Sequence, residues 1–248
     1  MLIDVNCYIG RWPFVSDLPE TVDQVAEGLV KSGITQAHVA SMHSFFVPDP
    51  AQEERKLRDE IAGHDLFQWS PIIRPDMPNW RDSLKQAADD GAKLIKLAPG
   101  FHQYEPDDDV VVELVNAATA LNIRTSFIVR MEDERRQHPL CRVPSLDLTR
   151  LRHLAEQVAP MPLLVLNVFY HEITGLADQS NLCFDLSYCE YDSPAPRAVA
   201  AVGNDRVLFG TSAPLLYAKA QQMKLDDSVE NDAMRNAIAY ENFVKFLG

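Results

Sequence analysis

Two hydrophobic periods alternate along this chain. Short apolar runs, some broken at every second position, read as strands, and stretches with apolar residues three and four apart read as helices. The first run, Met1 to Gly10, is interrupted at a spacing of two by Asp4, Asn6 and Tyr8. A strand sets those three on one face and Val5, Cys7 and Ile9 on the other. Helical spacing then runs from Leu18 to Ser32, ended by Gly33. A strand over Gln36 to Met42, a helix over Ala51 to Ala62 and a strand over Phe67 to Ile73 follow, the last stopped by Arg74-Pro75 because a residue before proline is pushed out of the helical region. Trp80 to Asp90 reads as helix and Ala92 to Leu97 as strand. In the second half a helix runs from the acidic start Asp107-Asp108-Asp109 to about Leu121, where negative charge suits the exposed N–H groups of a helix start. Strands are predicted over Arg124 to Val129, Leu163 to Val168, Leu182 to Ser187 and Val207 to Thr211, with helices over Leu146 to Val158, Ala195 to Val202 and Ala233 to Phe246. Arg130 to Pro144, charged and holding two prolines, is too polar for a core and reads as a solvated loop or a flap over a pocket.

Eight strands alternating with helices in 248 residues predict an α/β protein, a closed (β/α)8 TIM barrel forming one domain over residues 1–248. An open doubly wound sheet is the lesser alternative. The composition narrows the setting. There is no uninterrupted apolar run long enough to span a bilayer and no basic-then-apolar start, so a cytoplasmic protein without membrane association is expected. Cys7, Cys141, Cys183 and Cys189 form no CxxC pair and no zinc spacing, which fits free thiols. A net charge of −13 argues against a nucleic-acid partner. It leaves a homo-oligomer open.

In a barrel of this kind the site lies at the carboxyl ends of the strands. There the sequence offers Asn6 and Tyr8, His43, Arg74, Lys96 with His102 and Tyr104, Arg130, Asn167 with Tyr170 and His171, Ser187 and Tyr188, and Ser212. Arg74, Lys96 and Arg130 follow three consecutive strands, a local reversal of sign in an acidic protein that would favour a small anionic ligand. The alternative is that each cation pairs with a nearby carboxylate such as Asp76, Glu105 or Glu132.

Several segments carry a family likeness. Ile3-Asp4-Val5-Asn6-Cys7-Tyr8-Ile9-Gly10 resembles the first strand of the amidohydrolase superfamily, in its amidohydrolase-related branch, whose pattern is I-D-x-H-x-H-x-G. Ala92 to Pro99 is similar to the branch's G-x-K-L-x-P strand, Val207 to Pro214 to its L-F-G-S-D-x-P, and Ala237 to Leu247 to its closing helix. The resemblance implies a TIM barrel of metal-dependent hydrolases. It also implies metal ligands from two strand-one histidines, one histidine each after strands five and six, and a strand-eight aspartate. Those positions fall here on Asn6, Tyr8, near Ile128, Asn167 and Ser212. Zinc sites draw on imidazole, thiolate or carboxylate donors, so no metal or other cofactor is expected. Lys96 matches a lysine that is carbamylated in some relatives to bridge two metals.

Two functions compete on this reading. In the first, the barrel is a metal-independent hydrolase or lactonase. Tyr8 or a desolvated Lys96 is then the general acid or base, with Asn6, His43, Arg74, Arg130, Asn167 and Ser212 binding a carboxylate-bearing substrate. Ser212 lacks the G-x-S-x-G elbow of a nucleophile, and Cys7 faces away from Asn6 and Tyr8. In the second, the chain is a catalytically inactive homologue that binds a small molecule or a partner, with Trp12, Phe14, Phe45 and Phe46 either an interface or folded back on the rim.

Overall fold

The computed structural model describes residues 1–229 and 231–248. Eight short strands are laid down parallel: β1 Ile3–Ile9, β2 Gln36–Ser41, β3 Phe67–Trp69, β4 Leu94–Leu97, β5 Arg124–Ile128, β6 Leu163–Leu166, β7 Leu182–Asp185 and β8 Val207–Leu208. Ladders join β1-β2-β3 and β4-β5-β6-β7-β8. Backbone bonds close the two gaps. Lys96 N donates to Pro71 O at 2.9 Å and Ile73 N to Lys96 O at 3.1 Å. On the other side Val5 N donates to Phe209 O, Ser212 N to Asn6 O and Tyr8 N to Ala213 O, at 3.1, 2.7 and 2.8 Å. The ring of strands is therefore closed, as the sequence predicted.

Strand side chains sort into two layers. Ala40, Ile72, Leu94, Ile128, Leu164, Leu166, Cys183 and Leu208 fill the barrel. Ala37, Val39, Ile95, Leu97, Phe127, Val165 and Phe184 face the surrounding helices. Those helices are α1 Val22–Lys31, α2 Ala51–Glu60, α3 Trp80–Asp89, α4 Pro99–His102, α5 Asp109–Ala120, α6 Leu148–Val158, α7 Tyr170–Gly175, α8 Pro194–Val202, α9 Ala218–Ser228, α10 Asp232–Asn236 and α11 Asn242–Leu247. A π-helical turn over Ala237–Glu241 joins the last two. Asn242 fastens this closing helix by donating to the carbonyls of Asn204 and Val207 at 2.6 and 2.8 Å. Among the described residues no helix is long and apolar enough to cross a membrane.

Several local expectations are corrected. The register of β1 shifts between Asp4 and Cys7, a bulge. Ile3, Val5 and Tyr8 therefore all join the inner layer, and Asp4 does not share a face with Asn6 and Tyr8. Asp4 instead turns toward the chain just past the adjoining β8, accepting from Asn6 N and Thr211 N at 2.9 Å each and from the Thr211 hydroxyl at 2.5 Å. Burial pushes its pKa up against those bonds. Of the acidic run at α5, Asp108 turns back to Glu105 N, and Asp107 pairs with Arg150 Nε at 2.6 Å.

Candidate functional site

The inner ends of β1, β6 and β7 meet in one hydrogen-bond network around Asp185, which is buried on the barrel axis. Asn6 Nδ2 donates to Asp185 Oδ2 at 2.8 Å and to Asn167 Oδ1 at 2.6 Å. The Ser187 hydroxyl reaches the same two acceptors at 2.7 and 2.8 Å, and Asn167 N donates to Asp185 Oδ1 at 2.8 Å. By strand parity Asn167 would point outward with Leu163 and Val165. Its backbone instead adopts φ 62°, a left-handed conformation that asparagine tolerates better than most residues, and this turns the amide inward. Its Nδ2 then donates to Arg130 O at 2.6 Å, and Arg130 Nη1 returns a bond to Asn167 O at 2.8 Å. Burial raises the Asp185 pKa, while its donors and the more distant Lys224 ammonium lower it.

Beside this network stands Lys96. Its side chain is fully buried, Nζ donates to the carbonyls of Cys7 and His38 at 3.1 and 3.0 Å, and it lies 4.4 Å from the centre of the Tyr8 ring. Desolvation depresses its pKa. The hydroxyls of Tyr8 and Ser212 and the Oδ1 of Asn6 are buried without a hydrogen-bond partner. Above them Trp12, Phe14, Phe45, Phe46 and Phe101 pack ring against ring, mostly edge to face, with centroids 4.9–6.2 Å apart. Trp12 is 1% exposed and Phe45 4%. These aromatics fold back onto the rim and cover the mouth over β1, β2 and β4.

The open part of the mouth is over β5 to β8. A cavity of 740 Å³ lies there, walled by Phe169, Tyr170, Tyr188 and Tyr191, with Met131, Glu132, Arg136 and His171 also on its lining. Tyr188 is held in place by a 2.6 Å bond from its hydroxyl to Met131 O. The segment after β5 thus forms one wall, and its His138 ring stacks on Phe14 of the aromatic cover at 5.8 Å.

The residues expected at the site separate into distinct places. Asn6 and Asn167 meet directly; Tyr8, Lys96 and Ser212 surround them in the barrel core, and none of the five lines the cavity. Arg74 forms a two-pronged pair with Asp76 at 2.8 and 2.9 Å and bonds the carbonyls of Pro48 and His102. Arg130, 5% exposed, is clamped by Glu172 and lies 4.1 Å over the Phe169 ring. His43 lines a second, polar cavity on the flank of α1 and α2, with Nδ1 3.7 Å from Glu53. The three cations expected to draw an anion are therefore engaged within the protein. Among the described residues, the guanidinium on the cavity wall that forms no ion pair is Arg136, which the strand-end rule passed over.

No protein-family model matches the chain, and no curated protein matches it. Solved structures do. The Rhizobium 2,6-dihydroxybenzoate decarboxylase superposes with a TM-score of 0.75 at 14% identity, covering 100% of this chain and 99% of that one. The 5-carboxyvanillate decarboxylase of Sphingomonas paucimobilis gives 0.78 at 9% identity, covering 99% and 98%. A dihydroxybenzoic acid decarboxylase from Polaromonas sp., holding manganese and 2-nitroresorcinol, gives 0.76 at 11% identity, covering 99% and 96%. The chain has the (β/α)8 barrel fold of these structures. Likeness at this identity speaks for the fold, and function has to be argued from the site.

The metal that such a barrel implies can be tested against the donors present. At the five ligand positions implied by the resemblance stand an amide whose nitrogen is spent on two bonds, a phenol, an apolar side chain, a second amide bonded on both ends, and a serine hydroxyl. The carboxylate that bonds to this group, Asp185, comes from β7, outside the five positions, and accepts hydrogen bonds on both oxygens. Among the described residues no group of three or more His, Cys, Asp and Glu side chains is arranged to hold an ion. Among the described residues, the donors around the axis of this barrel therefore do not fit a divalent metal. Sequence reading missed Asp185, although its inward parity with Ser187 in Leu182-Cys183-Phe184-Asp185 was a usable signal. It also missed Glu132, which in a polar segment looks like any solvated glutamate.

Proposed function

We propose that this chain is an amidohydrolase relative that binds a small carboxylate-bearing molecule, planar and aromatic in part, in the cavity over β5 to β8, without a metal. The observation that carries this reading is the separation of two regions. The axial polar groups are neutral or tied to one another, whereas the 740 Å³ cavity beside them is walled by four aromatic rings and holds Arg136, which has no ion-pair partner among the described residues. Ring faces suit a flat ligand, and a guanidinium suits a carboxylate. Volume supports the same class, since small-molecule sites measure roughly 300–1,000 Å³. Similar structures were solved with 2,6-dihydroxybenzoate and with 4-hydroxy-3-methoxy-5-nitrobenzoic acid bound.

A second reading adds metal-independent hydrolysis, such as opening of a lactone, and rests on Glu132, a carboxylate on the cavity wall with no ion-pair partner among the described residues. Calorimetric titration with a panel of benzoates and aliphatic acids, run in excess chelator, tests the binding. Aromatic acids are expected to bind with chelator present, and Arg136→Ala is expected to weaken them by about tenfold, the worth of a charge-assisted bond. Absence of binding by any acid at millimolar concentration would remove the proposal.

A further inference from the structure

We propose that residues 133–144 form a lid that docks on the barrel and leaves it as one body, and that a carboxylate bound in the cavity holds the lid docked. The inference rests on the binding reading above and adds how that site is controlled, because this segment brings Asp133, Arg135 and Arg136 to the cavity wall. Its base is fixed. Leu146 N donates to Val129 O at 2.9 Å, the Tyr188 hydroxyl to Met131 O at 2.6 Å and Arg130 Nε to Ser145 Oγ at 3.1 Å, so the two ends leave the barrel from neighbouring, tethered points.

Above that base the segment bonds to itself. Gln137 donates through Nε2 to Val143 O at 2.8 Å and accepts through Oε1 from Val143 N at 2.9 Å. Cys141 N donates to His138 O at 2.9 Å, Glu134 accepts from Ser145 N at 3.1 Å, and Arg135 pairs with Asp133. Among the described residues, every hydrogen bond and ion pair made by 133–144 ends within 133–145. A loop whose ends meet and whose polar groups are satisfied internally keeps its shape when it leaves the surface beneath it.

The seat under the lid is small and makes no hydrogen bonds to it. On one flank the His138 ring lies nearly parallel to Phe14, with centroids 5.8 Å apart and planes at 20°. On the other, Val143 and Pro144 ride over Gly100 in α4, where a β-carbon would stand 2.7 Å from Pro144 O and 3.3 Å from Val143 Cγ1. The missing side chain of Gly100 is what lets the lid backbone come down this far. Leu140, toward the far end of the lid, is 90% exposed and anchors nothing. Few buried apolar contacts and no bonds across the seat place such a segment at the low end of local stability.

Arg136 travels with the lid. A carboxylate held by its guanidinium therefore binds the docked form more tightly, and binding shifts the population toward that form. Conversely, a change that spoils the seat lowers the apparent affinity in proportion to the fraction of molecules still docked. Phe14, Gly100 and His138 are not on the cavity lining, so they alter docking without touching the ligand.

The test times tryptic cutting after Arg142 in the whole native protein by mass spectrometry, in excess chelator, with and without saturating benzoate or 4-hydroxybenzoate. Arg142 directly precedes Val143 and is off the cavity lining, so a bound acid does not shield it by contact. Cutting reports the undocked population when reclosing is fast. The first cuts are expected within 133–144, and bound acid is expected to slow the Arg142 cut by about tenfold or more. Gly100→Val and His138→Ala should each be cut at least about fivefold faster and bind the acid at least about threefold more weakly. His138 is exposed, so His138→Ala should keep the wild-type denaturant midpoint and decides the matter if Gly100→Val does not fold. Acid binding that leaves the Arg142 cut unchanged overturns the lid and spares the binding reading, as do variants cut at the wild-type rate. Absence of acid binding would instead remove the binding reading, and control of that site by the lid with it.

Discussion

Replacing Gly210 by alanine is expected to lower the free energy of unfolding by about 3 kcal/mol, the upper part of the usual cost of overfilling a packed core. A β-carbon there would lie 2.4 Å from Asp185 Oδ2, 2.9 Å from its Cβ and 3.0 Å from its Cγ. Those atoms cannot give way cheaply, because the carboxylate is held from both oxygens by Asn6, Ser187 and the Asn167 backbone. The glycine just past β8 is therefore what lets a β7 carboxylate stand on the axis. Urea unfolding monitored by circular dichroism measures the loss. Gly28→Ala is the control: nothing lies within 4 Å of its would-be β-carbon on α1, and a gain of up to about 1 kcal/mol is expected from helix propensity. Equal effects of the two substitutions would contradict the packing described around Asp185.

Arg130→Ala should be more damaging, by about 3–5 kcal/mol, because it leaves a partner charge buried without compensation. Arg130 and Glu172 have side chains only 4% and 11% exposed, so solvent screens the pair little. The same arginine donates to Asn167 O and to the Ser145 hydroxyl, at 2.8 and 3.1 Å, and covers the Phe169 ring, so its loss also loosens one wall of the cavity. Glu172 has a second duty, accepting from Phe169 N at 2.7 Å at the start of α7. The double variant Arg130→Met with Glu172→Gln is expected to recover more than half of the loss, since neither side then carries an unpaired charge. Denaturant midpoints for the single and double variants decide the point. A double variant no better than Arg130→Ala would mean that packing, and not charge, dominates there.

The barrel was legible because a strand covered on both faces leaves a compact apolar run, and eight such runs alternate with amphipathic stretches. Predicted strand ends ran past the ladders, as at Phe67 to Ile73, where regular pairing ends at Trp69 and the chain bends before Ile72 bridges to Lys96. Helix α7 escaped notice because six residues are too few to show a period. Helix α9 escaped because Ala218 to Ser228 carries no continuous apolar stripe. Within the site, the meeting of Asn6 with Asn167 could be anticipated from the family pattern. Pairing of Arg74 with Asp76 was among the alternatives the sequence offered, two residues away. The partners of Arg130 and Lys96, Glu172 and the carbonyls of Cys7 and His38, could not be read, since they depend on distances between segments far apart in sequence. The β1 bulge illustrates the same limit: one extra residue reverses which side chains face inward, and nothing in Ile3 to Ile9 announces it.

What remains is the question of whether this barrel has exchanged a bound cation for hydrogen bonds among its own side chains. Elemental analysis of protein purified without chelator, paired with thermal unfolding before and after exhaustive chelation and after adding back zinc or manganese, answers it directly. The arrangement around Asp185 predicts well under a tenth of an equivalent of any divalent transition metal per chain, and one unfolding temperature across all three preparations. Close to one equivalent of zinc or manganese, with an unfolding temperature that falls on chelation and returns on add-back, would contradict it.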